Sequence, residues 1–187
     1  MKMFKMILAA GVVALPLAAS AQAADMGGGY AAPESEAMGL YLRGDIGWSF
    51  LEWSGGADDS ALLLGGGVGY RYNDNFRTDL TVDWAGKYDV APGAKLSTTT
   101  VLGNMYFDWA NTSAFTPYVG AGLGYGWANG SGGAVDDSGL AMGLAAGVAV
   151  DLTRNVAVDA GYRFRDIMIS GPDSKEHQAT IGLRYSF

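Results

Sequence analysis

The chain has 187 residues, a formal net charge of −7, 29 glycines and no cysteine. The acidic balance argues against a nucleic-acid partner, which would need a basic surface, and the lack of cysteine excludes disulfide bonds as a source of stability. So many glycines are not typical of a helical protein, and they lack the strict period of collagen.

Residues 1–23 have the three parts of a secretory signal peptide. Lys2 and Lys5 supply positive charge, an apolar stretch follows, and Ala21-Gln22-Ala23 forms an A-x-A cleavage site. We therefore predict that this leader is cleaved. Residues 24–38 are small, glycine-rich and acidic, which predicts a flexible segment in front of the folded domain.

From residue 39 to residue 187 the sequence divides into eight segments in which apolar residues alternate with small or polar ones. A period of two is typical of a β-strand whose two faces meet different surroundings. Each segment reaches the length of about 9–11 residues that a tilted membrane strand needs. The segments are 39–51, 61–72, 76–84, 96–109, 116–127, 139–152, 156–168 and 176–187.

The last segment shows what the two faces would contact. Its apolar set ends on Tyr185 and Phe187, and the residues between are small or polar. A strand of an outer-membrane barrel turns such an apolar face to lipid and its polar face to the lumen. We therefore predict an all-β fold, an eight-stranded antiparallel up-and-down transmembrane β-barrel. The alternative is a soluble periplasmic barrel or sandwich, which would enclose the apolar set and expose the glycine-rich one.

The connections between the segments are predicted to alternate in length. Those after the second, fourth and sixth segments are short (73–75, 110–115 and 153–155), whereas the others are longer, as in 52–60 and 128–138. Short periplasmic turns and long outer loops are the arrangement of outer-membrane barrels. Both ends of the barrel domain would then lie on the periplasmic side.

Aromatic residues of the lipid-facing sets cluster toward both ends of the predicted strands. Two aromatic girdles are expected at the two interfaces of a membrane. The set near the short turns is Tyr70, Tyr72, Phe76, Phe107, Trp109, Tyr185 and Phe187, and the set near the outer loops is Trp48, Phe50, Trp84, Tyr125, Trp127 and Phe164.

The inward-facing sets contain equal numbers of arginine and aspartate. Buried charges persist only when they are paired and hydrogen bonded, so one interpretation is an ion-pair network that fills the lumen. An eight-stranded interior is about filled by its own side chains, which favours this interpretation. The alternative is a polar conduit, for which the glycine-rich fifth and sixth segments would leave room. The charged residues are Arg43, Asp45, Arg71, Arg77, Asp79, Asp83, Asp108, Asp151, Asp159, Arg163, Arg165 and Arg184.

Four stretches carry a resemblance to a known family: 116–125 (TPYVGAGLGY), 69–73 (GYRYN), 76–79 (FRTD) and 185–187 (YSF). Over residues 39–187 the chain resembles the small opacity-protein/porin-like outer-membrane β-barrels, which are related to the OmpA and OmpX transmembrane barrels. The likeness speaks for architecture more than for activity, because one barrel fold serves many functions.

The resemblance implies a protein of the Gram-negative outer membrane, in contact with outer-membrane lipid and lipopolysaccharide. It implies a structural or surface role in the envelope, with outer loops available to a host or surface ligand. The alternative function is a narrow porin for ions or very small solutes. The resemblance also implies a C-terminal signal read by the barrel-assembly machinery, which here comprises Ile181, Leu183, Tyr185 and Phe187.

A lipid-A-modifying enzyme is a further alternative, and it depends on His177, the only histidine. Small outer-membrane enzymes of this kind combine a histidine, a hydroxyl and an acid near the outer rim, and Ser174 and Glu176 stand close to His177. One such hydrolase family has serine two residues after the histidine, where this chain has Ala179. We therefore predict no enzymatic activity and no cofactor.

Two pairs of aspartates, Asp58–Asp59 and Asp136–Asp137, fall in predicted outer loops. Clustered carboxylate oxygens are ligands for Ca²⁺. Two adjacent aspartates are more typical of a solvated loop, so no metal site is predicted.

Overall fold

A computed structural model describes residues 38–53, 58–91, 93–132, 136–168 and 174–187. The signal peptide predicted at 1–23 and most of the segment predicted at 24–38 lie outside the described residues. Within the described ranges no helix is long and apolar enough to cross a membrane. The strands are β1 (Gly39–Trp53), β2 (Asp58–Arg71), β3 (Phe76–Ala91), β4 (Ala94–Asp108), β5 (Phe115–Ser131), β6 (Asp137–Asp151), β7 (Val156–Met168) and β8 (Ser174–Ser186).

Each strand pairs antiparallel with the next, and β1 pairs with β8, so the sheet closes into a barrel. Closure gives every strand two neighbours, which satisfies the backbone hydrogen-bonding groups in a medium without water. This confirms the predicted fold class. The register places Arg43 between Gly67 on β2 and Arg184 on β8.

Apolar side chains cover the outside of the barrel. Leu123, for example, is 63% exposed although it lies in the middle of β5. A continuous apolar surface of this extent is stable against lipid but not against water. The soluble alternative is therefore wrong, because it would enclose these side chains. The aromatic residues predicted for the two girdles lie on this outer face.

The prediction that long loops follow the third and fifth strands is wrong, because these strands are longer than predicted. β3, predicted to end at residue 84, continues to Ala91, and β5, predicted to end at residue 127, continues to Ser131. Only residues 92–93 separate β3 from β4. Strand pairing continues beyond the lipid, where the outer face no longer needs apolar side chains, and so the alternating pattern stops before the strands do.

The two ends of the barrel differ in their connections. We call the end with residues 72–75, 109–114 and 152–155 the turn end, and the opposite end the loop end. At the loop end Gly93 (φ 80°) and Gly132 (φ 69°) have left-handed backbone conformations, which glycine adopts without a steric penalty.

Candidate functional site

The inward-facing side chains fill the lumen. Eleven of the twelve charged residues predicted to face inward are buried, and Asp151, near the turn end of β6, is half-buried. The period of two is the reason for this placement, because it directs alternate side chains of every strand to the interior.

Arg43 and Arg163 form the centre of the network. The Arg43 guanidinium donates to Asp45 at 2.7 Å and to Asp79 at 2.7 Å. Arg163 donates to Asp45 at 2.8 Å and lies 3.4 Å from Asp83. These contacts connect β1, β3 and β7 through side chains alone.

A second group lies nearer the turn end. Arg77 and Arg71 share the carboxylate of Asp108, at 3.0 Å and 3.4 Å respectively. The Arg77 guanidinium carbon also lies 4.0 Å from the ring centre of Tyr106 and 5.0 Å from that of Tyr118. Cations over aromatic faces are stabilised by the ring quadrupole, more strongly in a dry interior.

The remaining arginines complete the connections between strands. Arg184 pairs with Asp159 at 3.2 Å. Arg165 donates to Asp83 and to the hydroxyl of Thr100 on β4. The network therefore joins walls of the barrel that are not neighbours in the sheet.

An apolar cluster that the sequence did not predict occupies the loop end of the lumen. It includes Tyr88 and Leu96, which lie in or beside a segment predicted as loop, and we call it the apolar cap. All its members are buried, and they come from five consecutive strands. They are Leu51, Ala61, Leu63, Ala85, Tyr88, Leu96 and Ala128.

The glycine-rich walls of β5 and β6 do not leave an open channel at the level of Tyr106. A Cβ atom added to Gly120 would lie 2.4 Å from the Tyr106 ring, and one added to Gly147 would lie 2.6 Å from the Tyr118 hydroxyl. The cavity between Gly122, Arg163 and their neighbours measures about 10 Å³. That volume is at the lower limit for a single water molecule.

Glu176 and His177, the described residues of the enzyme alternative, lie on different faces of β8, and the Ser174 side chain lies outside the described part of the chain. Glu176 is buried inside the lumen, whereas the His177 ring lies against Phe164, with 5.3 Å between ring centres. The His177 Nδ1 atom forms a hydrogen bond with the Tyr162 hydroxyl. The arrangement therefore does not bring Glu176 and His177 together as an acid–base pair.

Three of the aspartates considered for calcium accept from local backbone groups, Asp59 from the N–H of Ser60 at 2.8 Å, and the side chain of Asp58 lies outside the described part of the chain. Asp136 accepts from the backbone N–H of Gly130 at 2.8 Å, and Asp137 accepts from that of Ser138 at 2.7 Å. The described ranges contain no group of three or more acidic, histidine or cysteine residues placed to bind a metal ion.

The residues expected to form the assembly signal lie together on the outer face of β8. Ile181, Leu183, Tyr185 and Phe187 are all exposed. The rings of Tyr185 and Phe187 pack edge to face at 5.3 Å, and the Phe187 N–H donates to the Leu40 carbonyl at 3.1 Å.

Comparison with known sequences shows to which protein family this barrel belongs. Residues 8–187 match the outer membrane protein beta-barrel domain. The chain belongs to this family. It is accordingly a bacterial outer-membrane protein whose strands form the transmembrane barrel, and the family resemblance that the sequence indicated is confirmed.

Relatives of this barrel occur in several bacteria. An uncharacterized protein of Brucella abortus is 27% identical and covers 83% of this chain and 87% of its own length. Outer membrane protein PagN of Salmonella typhimurium is 26% identical over 57% of this chain and 59% of its own. Opacity protein opA67 of Neisseria gonorrhoeae is 39% identical over 26% of this chain and 21% of its own.

Solved structures share the fold. Neisserial surface protein A superposes with a TM-score of 0.71 at 24% identity, covering 79% of this chain and 97% of its own. The attachment invasion locus protein Ail of Yersinia pestis gives a TM-score of 0.55 at 15% identity, covering 80% of this chain and all of its own.

Proposed function

We propose that this protein is a closed outer-membrane barrel with a structural and surface role in the envelope, and not a diffusion pore. The observation that supports this is the contact network across the lumen, which links Arg43 on β1 with Asp79 on β3 and Arg77 with Tyr118 on β5. A conduit would need a continuous water path through these contacts. The apolar cap would add a dry barrier at the loop end.

Planar-bilayer conductance tests the closed lumen. Protein refolded in detergent is first shown to be folded by heat-modifiable gel migration, and is then added to the bilayer beside a general porin as positive control. We expect no stable conductance steps. Reproducible single-channel conductance steps would contradict the proposal and would support the alternative of a narrow porin.

We further propose that the barrel has no catalytic activity. The support is geometric, because Glu176 lies inside the lumen and His177 lies on the outer face. Lipid A from cells expressing H177A should be identical in mass to lipid A from cells expressing the wild type, and both should match cells without the protein. A lipid A species that appears with the wild type and disappears with H177A would overturn this.

We propose that the loop end faces the cell exterior and meets host or surface ligands there. Ail has been solved with the heparin analogue sucrose octasulfate, at a TM-score of 0.50 to this chain and 16% identity. Here the described side chains of the loop end carry more acids than lysines, so a sulfated polyanion is unfavourable and a ligand of other chemistry is expected. The acids are Asp59, Asp89, Asp136, Asp137 and Asp166, and the lysines are Lys95 and Lys175.

Two parts of the chain are proposed to act in export and membrane insertion. We propose that residues 1–23 direct export across the inner membrane and are removed, and that the barrel-assembly machinery then reads the apolar face of β8. The support for the second step is exposure, because a side chain such as Phe187 contributes little to the barrel interior and is free to contact another protein.

A further inference from the structure

Glu176 differs from the aspartates at the centre of the lumen. It is 1% exposed, yet none of the ion pairs in the described part of the chain includes it. Its register partner on β7 is Arg165, but that guanidinium is directed to Asp83 and Thr100. A buried carboxylate without a neighbouring cation is costly, and so its charge must be balanced in another way.

The hydrogen-bond partners of Glu176 are all neutral. One carboxylate oxygen contacts the Thr98 hydroxyl at 2.6 Å, and the other accepts from Gln178 Nε2 at 2.8 Å and from the Ser49 hydroxyl at 3.4 Å. Thr98 stands on β4, across the barrel from β8. Glu176 thus reaches across the lumen, and its partners can serve an ionised carboxylate as donors.

Two further oxygen atoms in this layer lack partners. The Tyr88 hydroxyl and Gln178 Oε1 are buried and make no hydrogen bond with the described residues. The Tyr88 hydroxyl lies in the neighbourhood of Ser49, Thr98 and Glu176 without meeting hydrogen-bond geometry to any of them. The Gln178 amide nitrogen donates to Glu176, and this donation fixes the orientation of the amide group. The carbonyl oxygen of the same amide is left without a hydrogen-bond donor among the described residues.

The layer is enclosed along the barrel axis. Toward the loop end lies the apolar cap, to which Tyr88 itself belongs, and toward the turn end lies Arg165 with its partners. A single net negative charge, several neutral oxygens and dry surroundings favour a hard monovalent cation, because such ions bind oxygen ligands and one positive charge balances one carboxylate.

We propose that Glu176, Gln178, Tyr88, Ser49 and Thr98 form a binding site for an alkali-metal cation inside the lumen. The cation neutralises Glu176 and uses the two oxygen atoms that have no protein partner. Because the layer is enclosed, the ion is taken up as the barrel closes. The site therefore contributes to folding and stability, and it does not depend on whether the loop end binds a ligand or the lumen conducts.

The test is refolding and unfolding in different salts at constant ionic strength. Wild-type protein is refolded in NaCl, KCl or N-methyl-D-glucamine chloride, and urea unfolding is followed by tryptophan fluorescence. Above the dissociation constant, each tenfold rise in Na⁺ or K⁺ should raise the folded-to-unfolded ratio about tenfold. N-methyl-D-glucamine, an organic cation much larger than Na⁺ or K⁺, should have no such effect.

Three variants locate the effect. E176Q should remove the cation dependence. D166N should keep it, because Asp166 belongs to β7, the strand that pairs with β8, but its half-exposed side chain lies on the outer face of the barrel. Y88F, which deletes only the unpartnered hydroxyl, is the milder variant if E176Q does not fold, and it should weaken the dependence. In crystals grown with RbCl, an anomalous peak should lie in contact with Glu176 and Gln178.

Three results would overturn the proposal. Wild-type stability that is the same in all three salts would mean that water satisfies the two oxygens. A cation dependence that E176Q and Y88F both retain would place the ion elsewhere. Stability that follows pH but no cation would mean that a proton neutralises Glu176.

Discussion

At the scale of single residues, the lumen is organised by pairs of a glycine and a large side chain. The Tyr41 ring lies over Gly69, the Tyr106 ring over Gly120, and the Asp83 carboxylate over Gly65. Each inward glycine of this kind leaves the space that a neighbour occupies. The glycine content is therefore a consequence of filling a narrow barrel with arginine and tyrosine.

Replacing Gly120 with alanine should lower the free energy of unfolding by about 1–3 kcal/mol, the usual cost of overpacking. The added methyl group would meet the Tyr106 ring at 2.4 Å, and that ring is held by Arg77 and Tyr118. The matched control is Gly44→Ala on the outer face, where a Cβ meets nothing within 4 Å. Urea unfolding in detergent measures both, and equal effects would contradict the steric argument.

The buried pair of Arg77 and Asp108 should behave as one unit. D108N leaves the buried Arg77 without its carboxylate and should destabilise the barrel by about 3–5 kcal/mol, whereas R77M leaves Asp108 its contact with Arg71 at 3.4 Å and should cost less. The double variant should lose less than the sum of the two. Losses that simply add would show that the pair is not energetically coupled. K95M, which removes the solvent-exposed ion pair of Lys95 with Asp89 at 3.6 Å, serves as control and should cost at most about 1 kcal/mol.

At the scale of the elements, β8 has two separate tasks. Its inward residues contribute Glu176, Gln178 and Arg184 to the lumen, and its backbone closes the sheet against β1. Its outward residues lie on the lipid side and make few contacts with the interior. Changes to the outer face should therefore affect delivery to the membrane more than stability once folded.

Phe187 tests this separation. It is 64% exposed and packs against Tyr185 at the surface. Deleting Phe187, or replacing it with serine, should lower the amount of protein in the outer membrane several-fold, while F187W should keep it near the wild-type level. Quantitative immunoblots of outer-membrane fractions measure this, and refolding of the purified variants in detergent provides the control. A normal outer-membrane level of the deletion variant would count against a signal at this position.

At the scale of the whole molecule, charge differs between the interior and the loop end. The central arginines and aspartates of the lumen pair with one another, whereas the described side chains at the loop end are mostly acidic. Electrostatic attraction at an exposed surface acts over about 8 Å at physiological salt, so this acidic surface should govern first contact with a charged ligand.

Immobilised heparin is a direct probe of that surface. Folded wild-type protein should pass through a heparin column at physiological salt, because the polymer and the loop end repel each other. The charge-reversal variant D136K/D137K should be retained more strongly, since it replaces two negative charges of the loop end with positive ones. Salt-sensitive retention of the wild type would contradict the expected repulsion.

The sequence allowed the fold and the two faces of each strand to be predicted, because alternation is a local property imposed by lipid on one side and the lumen on the other. Arg43 and Leu183, for example, lie on the faces that their positions in the pattern indicate. The true strand ends were not predictable in the same way. Outside the lipid, the outward-facing residues of a strand no longer need to be apolar, so the alternating pattern ends. The backbone of β3 nevertheless pairs with β4 as far as Ala91.

The tertiary structure alone decided which lumen residues meet. Thr98 and Glu176 are 78 positions apart in the chain, and Arg43 and Asp79 are 36 apart. Closure of the barrel and the stagger of its strands set these distances, and no short pattern in the sequence encodes them. Local alternation in the sequence therefore determined by itself that charged side chains would enter the lumen. Only closure of the sheet, which sets the contacts between distant strands, decided that Glu176 would have no arginine as its partner.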